Sequence, residues 1–224
     1  MSGILYLVAT PIGNPEDITY RAIRILKEAD IIVCEEQKEG TRLLRQLGIP
    51  KPVESLNEHN EAAVSPAILQ VLRTGKSVAL ISDAGTPVFS DPGSLLVTRA
   101  IEAGIRIVPL PGPSSLMPAL IVSGFPIQRF VFHGFLSPKR QRRIAELQQL
   151  KKEPSTIVLM ETPYRLLQIV RDLAEVIGPS RPICIAFDLT LPTEDIMRGT
   201  APELFQRLSK SKKKGEFVVV IGPS

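Results

Sequence analysis

The chain has 224 residues, a formal charge of +4 and an apolar fraction of 44%. This is enough for one large domain or two small ones with a packed core. With no Trp and only 5% aromatic residues, the sequence does not indicate a protein that stacks the bases of single strands. The mild positive charge is compatible with a nucleic acid or another anionic substrate.

The two cysteines and the lengths of the apolar runs indicate the cellular compartment of the protein. Cys34 and Cys184 lie in apolar, strand-like runs, which is typical of buried thiols in a reducing compartment and not of a disulfide or a metal pair. No apolar run approaches the roughly 18 residues that a membrane span needs. Met1 leads almost directly into a predicted strand, so we expect no secretory leader. We therefore expect a cytoplasmic protein without a membrane span or a bound metal.

Apolar runs alternate with helical patterns along the whole chain, which predicts an α/β fold. Strands are predicted at 4–9, 31–34, 77–81, 105–110, 130–136, 156–160, 182–187 and 216–221. Helices are predicted at 20–29, 41–47, 62–73, 95–104, 116–123, 166–177 and 201–209. The Pro-rich segment 111–113 divides the chain into an N-terminal α/β domain, 1–113, and a C-terminal one, 114–224. We expect mostly parallel or mixed sheets, with a ligand cleft between the two domains.

The segment 81–93 is the strongest candidate for a ligand-binding loop. It follows the buried strand at 77–81 and precedes a helix, so it lies at the carboxyl end of a strand, where open α/β sheets bind their ligands. Asp83 and Asp91 supply carboxylates, and Gly85 and Gly93 allow a ligand to approach the backbone. The alternative is an ordinary long turn between a strand and a helix.

Other loops hold further candidates. The loop 10–17 resembles a phosphate loop but lacks the Gly-x-Gly-x-x-Gly pattern of a dinucleotide site. Glu35 follows the second strand, and His59 lies in a polar stretch; these residues would bind substrate or belong to a solvated surface. Ser114 and Ser115 precede an apolar helix and would cap it or bind a carboxylate.

The densest basic run, 139–143, follows a strand rich in aromatic residues. Such a run is usually the solvated face of a helix, but in this position it is also a candidate for phosphate contacts.

Several ordered motifs resemble one known family over essentially the whole chain. They are Leu-Tyr-Leu-Val-Ala-Thr-Pro-Ile-Gly-Asn at 5–14, Asp-Ile-Thr at 17–19, Ser-Asp-Ala-Gly-Thr-Pro at 82–87, Ser-Asp-Pro-Gly at 90–93 and Pro-Leu-Pro-Gly-Pro-Ser at 109–114. Together they resemble the tetrapyrrole methylase superfamily, and within it the branch that methylates the ribose 2′-hydroxyl of a cytidine in small-subunit (16S) ribosomal RNA.

The resemblance implies a homodimer that binds S-adenosylmethionine between two α/β domains, largely through backbone groups. The positions that match the cofactor site are Pro11, Asp83, Gly85, Thr86, Pro87, Val88, Ser114, Ser115, Met160, Ala186, Leu189 and Thr200. Glu161, His59 and Glu35 are candidates for the group that orients the acceptor hydroxyl or removes its proton. The candidates for phosphate contacts are Arg21, Arg140, Arg142, Arg143 and Arg165.

The chain departs from the branch at positions expected to face the substrate. The usual Glu-Asp-Thr-Arg is Glu-Glu-Gln-Lys at 35–38, the usual Leu-His-Glu-His-Asn-Glu loses its first His at 57, and the usual Glu-Ala-Pro-His-Arg is Glu-Thr-Pro-Tyr-Arg at 161–165. The usual Arg-Glu-Leu-Thr-Lys is replaced by Phe-Asp-Leu-Thr-Leu at 187–191. We also expect no counterpart of the short C-terminal domain that is common in the branch.

These observations favour ribose 2′-O-methylation of a cytidine in 16S ribosomal RNA. Two alternatives remain open: methylation of a tetrapyrrole or another small acceptor, and a cofactor-binding protein without activity.

Overall fold

The structure, a computed structural model, describes residues 2–211 and 213–224. The chain forms two compact units, one ending at residue 114 and the other beginning at residue 115. Each unit is built around a five-stranded sheet with helices packed on it, which confirms the predicted two-domain α/β class.

The first unit is an all-parallel sheet in the order β3-β2-β4-β1-β5. Its strands are β1 (Ile4–Val8), β2 (Ile31–Cys34), β3 (Val53–Ser55), β4 (Val78–Ile81) and β5 (Arg106–Leu110). Its helices are α1 (Tyr20–Glu28), α2 (Gln37–Gln46), α3 (Glu61–Arg73) and α4 (Ser94–Glu102), with a short 3₁₀ turn at Pro15–Asp17.

Helices cover both faces of this sheet. One apolar cluster joins α1 and α2 to the sheet, and a second joins α3 and α4 to the other face. The central strand β4 is buried along its whole length, as expected for a strand covered on both sides. Since all five strands run in one direction, their carboxyl ends meet at a single edge.

The second unit contains a mixed sheet in the order β6-β7-β10-β8-β9. Its strands are β6 (Phe130–Phe135), β7 (Thr156–Glu161), β8 (Pro182–Phe187), β9 (Asp195–Thr200) and β10 (Phe217–Ile221). Only β6 and β7 are parallel; the other neighbouring pairs are antiparallel. The helices are α5 (Leu116–Ser123), α6 (Arg140–Leu150), α7 (Leu166–Val176) and α8 (Ala201–Lys210), with a 3₁₀ turn at Pro163–Arg165.

Four elements differ from the sequence prediction. Helix α6 was not among the predicted helices, and its first turn is the basic run. The edge strands β3 and β9 were not predicted, because Val-Glu-Ser is very short and Asp-Ile-Met-Arg-Gly-Thr is largely polar. Helix α2 begins at Gln37, four residues before the predicted start at 41. Its first turn carries no apolar residue and no capping hydrogen bond from a side chain, so neither usual signal marks its start. No helix in the described part of the chain is long and apolar enough to cross a membrane.

Candidate functional site

Three loops meet at the carboxyl edge of the first sheet. They follow the adjacent strands β4, β1 and β5, and span residues 82–93 (the central loop), 9–19 (the first loop) and 111–115 (the third loop). Thr10 N–H donates to the Gly85 carbonyl at 2.9 Å, and Gly85 N–H donates to the Thr10 carbonyl at 3.0 Å. The Thr86 hydroxyl donates to the Pro113 carbonyl at 3.3 Å. These bonds tie the central loop to both neighbours.

The loops approach each other so closely that glycine is required. Gly85 has a φ of 92°, and a Cβ there would lie 3.3 Å from Ile12 Cγ2. A Cβ on Gly112 would lie 2.9 Å from the Ala9 Cβ. The surface where the loops meet is therefore built largely from backbone, as the motif resemblance implies for the cofactor site.

Strained backbone is concentrated in two of the predicted cofactor segments. Val88 and Ser90 in the central loop have φ values of 69° and 68°, and Asp188 and Thr190, after β8 of the second unit, have values of 47° and 71°. Within the described residues these are the four non-glycine residues with positive φ. Positive φ is a genuine outlier for a β-branched residue such as Val88. Strain of this kind concentrates at ligand-binding segments that the surrounding structure holds in place.

The remaining predicted cofactor residues of the second unit have mixed environments. Met160 on β7 is half-buried, while Ala186 on β8 and Leu189 are buried. Thr200 caps α8: its hydroxyl accepts from Glu203 N–H at 3.4 Å, and Glu203 Oε2 accepts from Thr200 N–H at 2.8 Å. The Thr200 side chain therefore has a structural task in the fold of this unit.

Three carboxylates lie at the carboxyl ends of β2 and β4. Burial, together with the Asp83 and Asp91 carboxylates, raises the pKa of Glu35. Burial also raises the pKa of Asp83 and of Asp91, although Asp83 accepts from Glu36 N–H at 3.2 Å and Asp91 accepts from the Ser82 hydroxyl at 2.5 Å. A carboxyl group with a raised pKa is a stronger proton acceptor. In the part of the chain described, no group of His, Cys, Asp and Glu is arranged to hold a metal ion.

The polar stretch 55–61 fixes the fold beside Glu35. The Ser55 hydroxyl donates to the Glu35 carbonyl at 2.8 Å. Asn60 Oδ1 accepts from Asn57 N–H at 2.7 Å, and Glu61 Oε1 accepts from the N–H groups of Leu95 and Leu96 at the start of α4. This stretch is therefore mainly a structural link between β3, α3 and α4.

His59, by contrast, is exposed within that stretch. Its side chain is 85% accessible, and its Nε2 lies 3.4 Å from Glu58 Oε1. The structure thus places Glu35 among other carboxylates and leaves His59 on the surface.

Glu161 and Arg165 contact each other inside the second unit. Glu161 is buried at the end of β7, where its Oε1 accepts from Thr162 N–H at 2.8 Å and its Oε2 lies 3.2 Å from Arg165 Nη2. Arg165 Nη2 also donates to the carbonyls of Leu136 and Ser137. Both side chains have partners inside the second unit, and the roles of Glu161 as base and Arg165 as phosphate contact stay predictions from the resemblance.

Arg143, another predicted phosphate contact, also has its partners inside the second unit. It is fully buried, with its Nε 2.7 Å from Asp172 Oδ2 and its Nη1 donating to the carbonyls of Ser137 and Pro138. Arg140 on the same helix pairs with Glu175 at 2.6 Å and is partly exposed. Arg142 and Arg21 are exposed. Within the predicted basic run, Arg143 is therefore buried in the fold, whereas Arg140 and Arg142 face solvent.

The structure also shows a pocket that the sequence did not predict. Within the first unit, the first loop, α2 and Asp83 and Ala84 of the central loop enclose a cavity of about 180 Å³. Helix α2 contributes Glu39, Arg42, Leu43 and Gln46. They are three, four and seven residues apart, which places them on one helical face. The sequence prediction missed this face because it began α2 at 41, after Glu39.

Comparisons with known proteins agree with this architecture. A family model described as Tetrapyrrole (Corrin/Porphyrin) Methylases matches residues 4–204. The chain is 44% identical over 221 residues to the ribosomal RNA small subunit methyltransferase I of Mesorhizobium japonicum, covering 98% of this chain and 75% of that protein. It is also 44% identical over 219 residues to the protein of that name from Thermotoga maritima, covering 98% of each.

Solved structures show the same fold at lower sequence identity. A cobalt precorrin-4 methyltransferase has a TM-score of 0.72 and 18% identity, covering 98% of this chain and 94% of that one. A uroporphyrin-III-C-methyltransferase from Thermus thermophilus has a TM-score of 0.66 and 22% identity, with the same coverage. The family model matches most of the chain, and the relatives match it nearly end to end. The chain belongs to the tetrapyrrole (corrin/porphyrin) methylase family.

Proposed function

We propose that this protein is an S-adenosylmethionine-dependent methyltransferase that methylates the ribose 2′-hydroxyl of a cytidine in the RNA of the small ribosomal subunit. The observation that carries the proposal is the backbone-lined junction of the three loops around Gly85, in a chain 44% identical to ribosomal RNA small subunit methyltransferases I. The cytidine and its 2′-hydroxyl rest on the motif resemblance.

The three-loop junction fits the cofactor. S-adenosylmethionine carries an amine, a carboxylate, a ribose and an adenine, and neutral backbone amides, carbonyls and small hydroxyls suit all of these groups without a charged clamp. The residues of the first unit that would hold it are Pro11, Asp83, Gly85, Thr86, Pro87, Val88 and Ser114. When bound, the cofactor supplies a methyl group already activated on a sulfonium. Ser115, Met160, Ala186, Leu189 and Thr200 of the second unit remain predictions from the resemblance.

We assign the removal of the acceptor proton to Glu35. Its carboxyl group lies at the end of β2, next to Asp83 at the end of β4, since these two strands are neighbours in the sheet. The burial and the surrounding carboxylates that raise the pKa of Glu35 also strengthen it as a proton acceptor. A hydroxyl oriented by this carboxylate would lose its proton to Glu35 as its oxygen accepts the methyl group.

Exposed arginines supply the attraction to RNA. Arg21 at the start of α1 and Arg142 on α6 are exposed, and Arg140 is partly exposed beside Glu175. The chain as a whole carries a formal charge of +4. Cations of this kind neutralise phosphates and release counterions, so RNA binding should weaken as the salt concentration rises.

We further propose a homodimer in the cytoplasm. On α5, Met117 and Ile121 lie one turn apart and are 49% and 64% exposed, which is an apolar surface suited to a second copy of the chain. Burial and the nearby Asp83 carboxylate raise the pKa of the Cys34 thiol to about 12, and neither cysteine forms a disulfide. Protonated buried thiols fit a reducing compartment. Light scattering coupled to gel filtration tests the dimer directly.

The enzymatic proposal is tested by methyl transfer in vitro. The purified protein is incubated with S-adenosylmethionine labelled in its methyl group and with 30S subunits from a strain that lacks the gene. We expect label in the 16S RNA and none when the subunits come from the parent strain, whose site is already methylated. Label in a tetrapyrrole acceptor but not in RNA would support the first alternative, and cofactor binding without transfer would support the second.

A further inference from the structure

The cavity beside α2 carries groups that the cofactor site does not need. Pro11 and Asp83 belong to the predicted cofactor set, whereas Glu39, Arg42 and Gln46, which line the same cavity from one face of α2, do not. This single cavity, called the α2 compartment, lies within the first unit and has the face of α2 as one of its walls.

This compartment contains side chains of both charges. Glu39 and Arg42 form an ion pair across one helical turn, with side chains 33% and 68% exposed. Glu39 is also close enough to Asp83 for its charge to raise the pKa of that residue. Two carboxylates therefore share the cavity with one guanidinium, which disfavours a phosphate group and favours a neutral ligand with both hydrogen-bond donors and acceptors.

The other lining groups suit a flat ring. Ile12, Pro15 and Leu43 provide apolar surface, and Gln46 adds a carboxamide that both donates and accepts. A nucleobase presents apolar faces and a polar edge, and RNA-binding proteins commonly take an unstacked base into such a pocket.

We propose that this cavity receives the base of the acceptor nucleotide, with Glu39 accepting a hydrogen bond from an exocyclic amine and Arg42 and Gln46 donating to the adjoining ring nitrogen and carbonyl. This assignment rests on the proposed RNA methyltransferase function. It selects cytosine over uracil, because uracil would place a carbonyl oxygen against the Glu39 carboxylate. The same amine beside a ring nitrogen occurs in the adenine of the cofactor, so the test must separate the two ligands.

The test compares Arg42→Ala and Glu39→Gln with Arg45→Ala. Arg45 is an exposed arginine on the same helix that lines a separate groove with Gly48 and Lys51, so its loss removes the same charge without touching the cavity. For each variant we would measure kcat and KM with unmethylated 30S subunits, and cofactor affinity by calorimetry. Breaking an exposed ion pair costs little stability, so these variants should fold.

We expect Arg42→Ala and Glu39→Gln to raise the KM for 30S subunits by about 10-fold or more, with cofactor affinity unchanged and Arg45→Ala matching the wild type. On subunits whose target cytidine is replaced by uridine, Glu39→Gln should methylate faster than the wild type, because its amide can donate to the uracil carbonyl. A loss of cofactor affinity in Arg42→Ala would assign the cavity to the adenine instead.

Two outcomes distinguish a failure of the proposed base pocket from a failure of the proposed methyltransferase function. If the wild type methylates 30S subunits and the cavity variants behave like Arg45→Ala, the base pocket is wrong and the methyltransferase function stands. If the wild type transfers no methyl group to 30S subunits at all, the proposed function fails, and the base pocket with it.

Discussion

Thr10 and Gly85 exchange two backbone hydrogen bonds, of 2.9 and 3.0 Å, that join the loops after β1 and β4. The pair lies outside the regular strands, and it holds Gly85 against Ile12 at a positive φ that a side chain rarely adopts. The three-loop junction therefore has one defined shape before any ligand binds. Preorganisation of this kind reduces the entropic cost of binding.

Replacing Gly85 with Ala should weaken cofactor binding. The new Cβ meets Ile12 Cγ2 at 3.3 Å and must occupy a φ of 92°, so the loops must separate. We expect affinity for S-adenosylmethionine, measured by calorimetry, to fall by about 10-fold or more, equivalent to about 1.4 kcal/mol.

Gly104→Ala is the matched control for this change. Gly104 has a φ of 66°, but nothing lies within 4 Å of an added Cβ. It should lose about 1 kcal/mol of stability from the backbone conformation alone and retain cofactor affinity. Equal loss of affinity in both variants would show that the effect does not come from the loop junction.

Glu61→Ala should destabilise the first unit. The carboxylate caps α4 from the start of α3, accepting from Leu95 N–H at 2.8 Å and from Leu96 N–H at 3.1 Å. Its removal leaves the first turn of α4 uncapped, so we expect the free energy of unfolding to fall by about 1–2 kcal/mol in urea titrations. Glu58→Ala, at an exposed position three residues before α3 begins, should stay within about 0.5 kcal/mol of the wild type. Similar losses in both would argue against the cap.

Asp91→Asn should change how stability depends on pH. Burial raises the pKa of Asp91 in the folded chain, so between the ordinary and the raised value the folded state binds more protons than the unfolded state. The free energy of unfolding contributed by this group therefore falls as the pH rises from about 4 through the raised pKa. Asn cannot ionise and can still accept from Ser82.

The measurement for Asp91 is a difference between two titration series. Urea denaturation of the wild type and of Asp91→Asn, repeated from low to neutral pH, should show the variant gaining stability relative to the wild type as the pH rises. A constant difference across that range would mean that burial does not perturb Asp91.

Glu35→Gln should lower kcat, whereas His59→Ala should not. Glu35 has a raised pKa because of burial and the nearby Asp83 and Asp91 carboxylates, whereas the exposed side chain of His59 lies beside Glu58. Loss of a general base typically reduces the rate by about 10²–10⁴-fold. Single-turnover methylation of 30S subunits measures this step, and a loss in His59→Ala as large as that in Glu35→Gln would reassign the base.

Arg142→Ala should weaken RNA binding and reduce its salt dependence. Each phosphate contact contributes about −0.9 to the slope of log K against log salt for a duplex and about −0.7 for a single strand. We expect filter binding of 16S RNA over a salt series to show a slope reduced by about that amount. An unchanged slope would remove Arg142 from the RNA surface.

Arg143→Ala tests whether Arg143, next to Arg142, stabilises the fold and does not contact RNA. Its removal takes away the buried partner of Asp172 and leaves only Arg140 Nε, 3.5 Å away, so we expect a loss of about 3 kcal/mol in unfolding free energy. At temperatures where the variant remains folded, its salt slope should equal that of the wild type. A lower slope with normal stability would return Arg143 to the RNA surface.

Sequence patterns predicted where these loops lie because each of them follows a strand that an apolar run marks. The buried run at 78–81 and the Gly- and Pro-rich residues after it indicate a loop at a strand end, and parallel pairing of β2, β4, β1 and β5 brings Glu35, Asp83, Pro11 and Ser114 to one edge. The partners of a charged side chain are not visible in the sequence. Arg143 is buried and Arg142 exposed because of where α6 packs, and Glu161 is enclosed by Arg165 four residues later. The pocket beside α2 escaped prediction because the helix begins without a cap.

The most direct test of the central claim is mass-spectrometric mapping of ribose methylation in ribosomal RNA. RNA from the parent strain, from a strain lacking the gene and from that strain complemented with wild-type or Glu35→Gln protein would be compared. We predict one 2′-O-methylcytidine in 16S RNA that disappears in the deletion strain, returns with the wild-type gene and stays absent or strongly reduced with Glu35→Gln. An identical set of ribose methylations in the parent and deletion strains would contradict the proposed function.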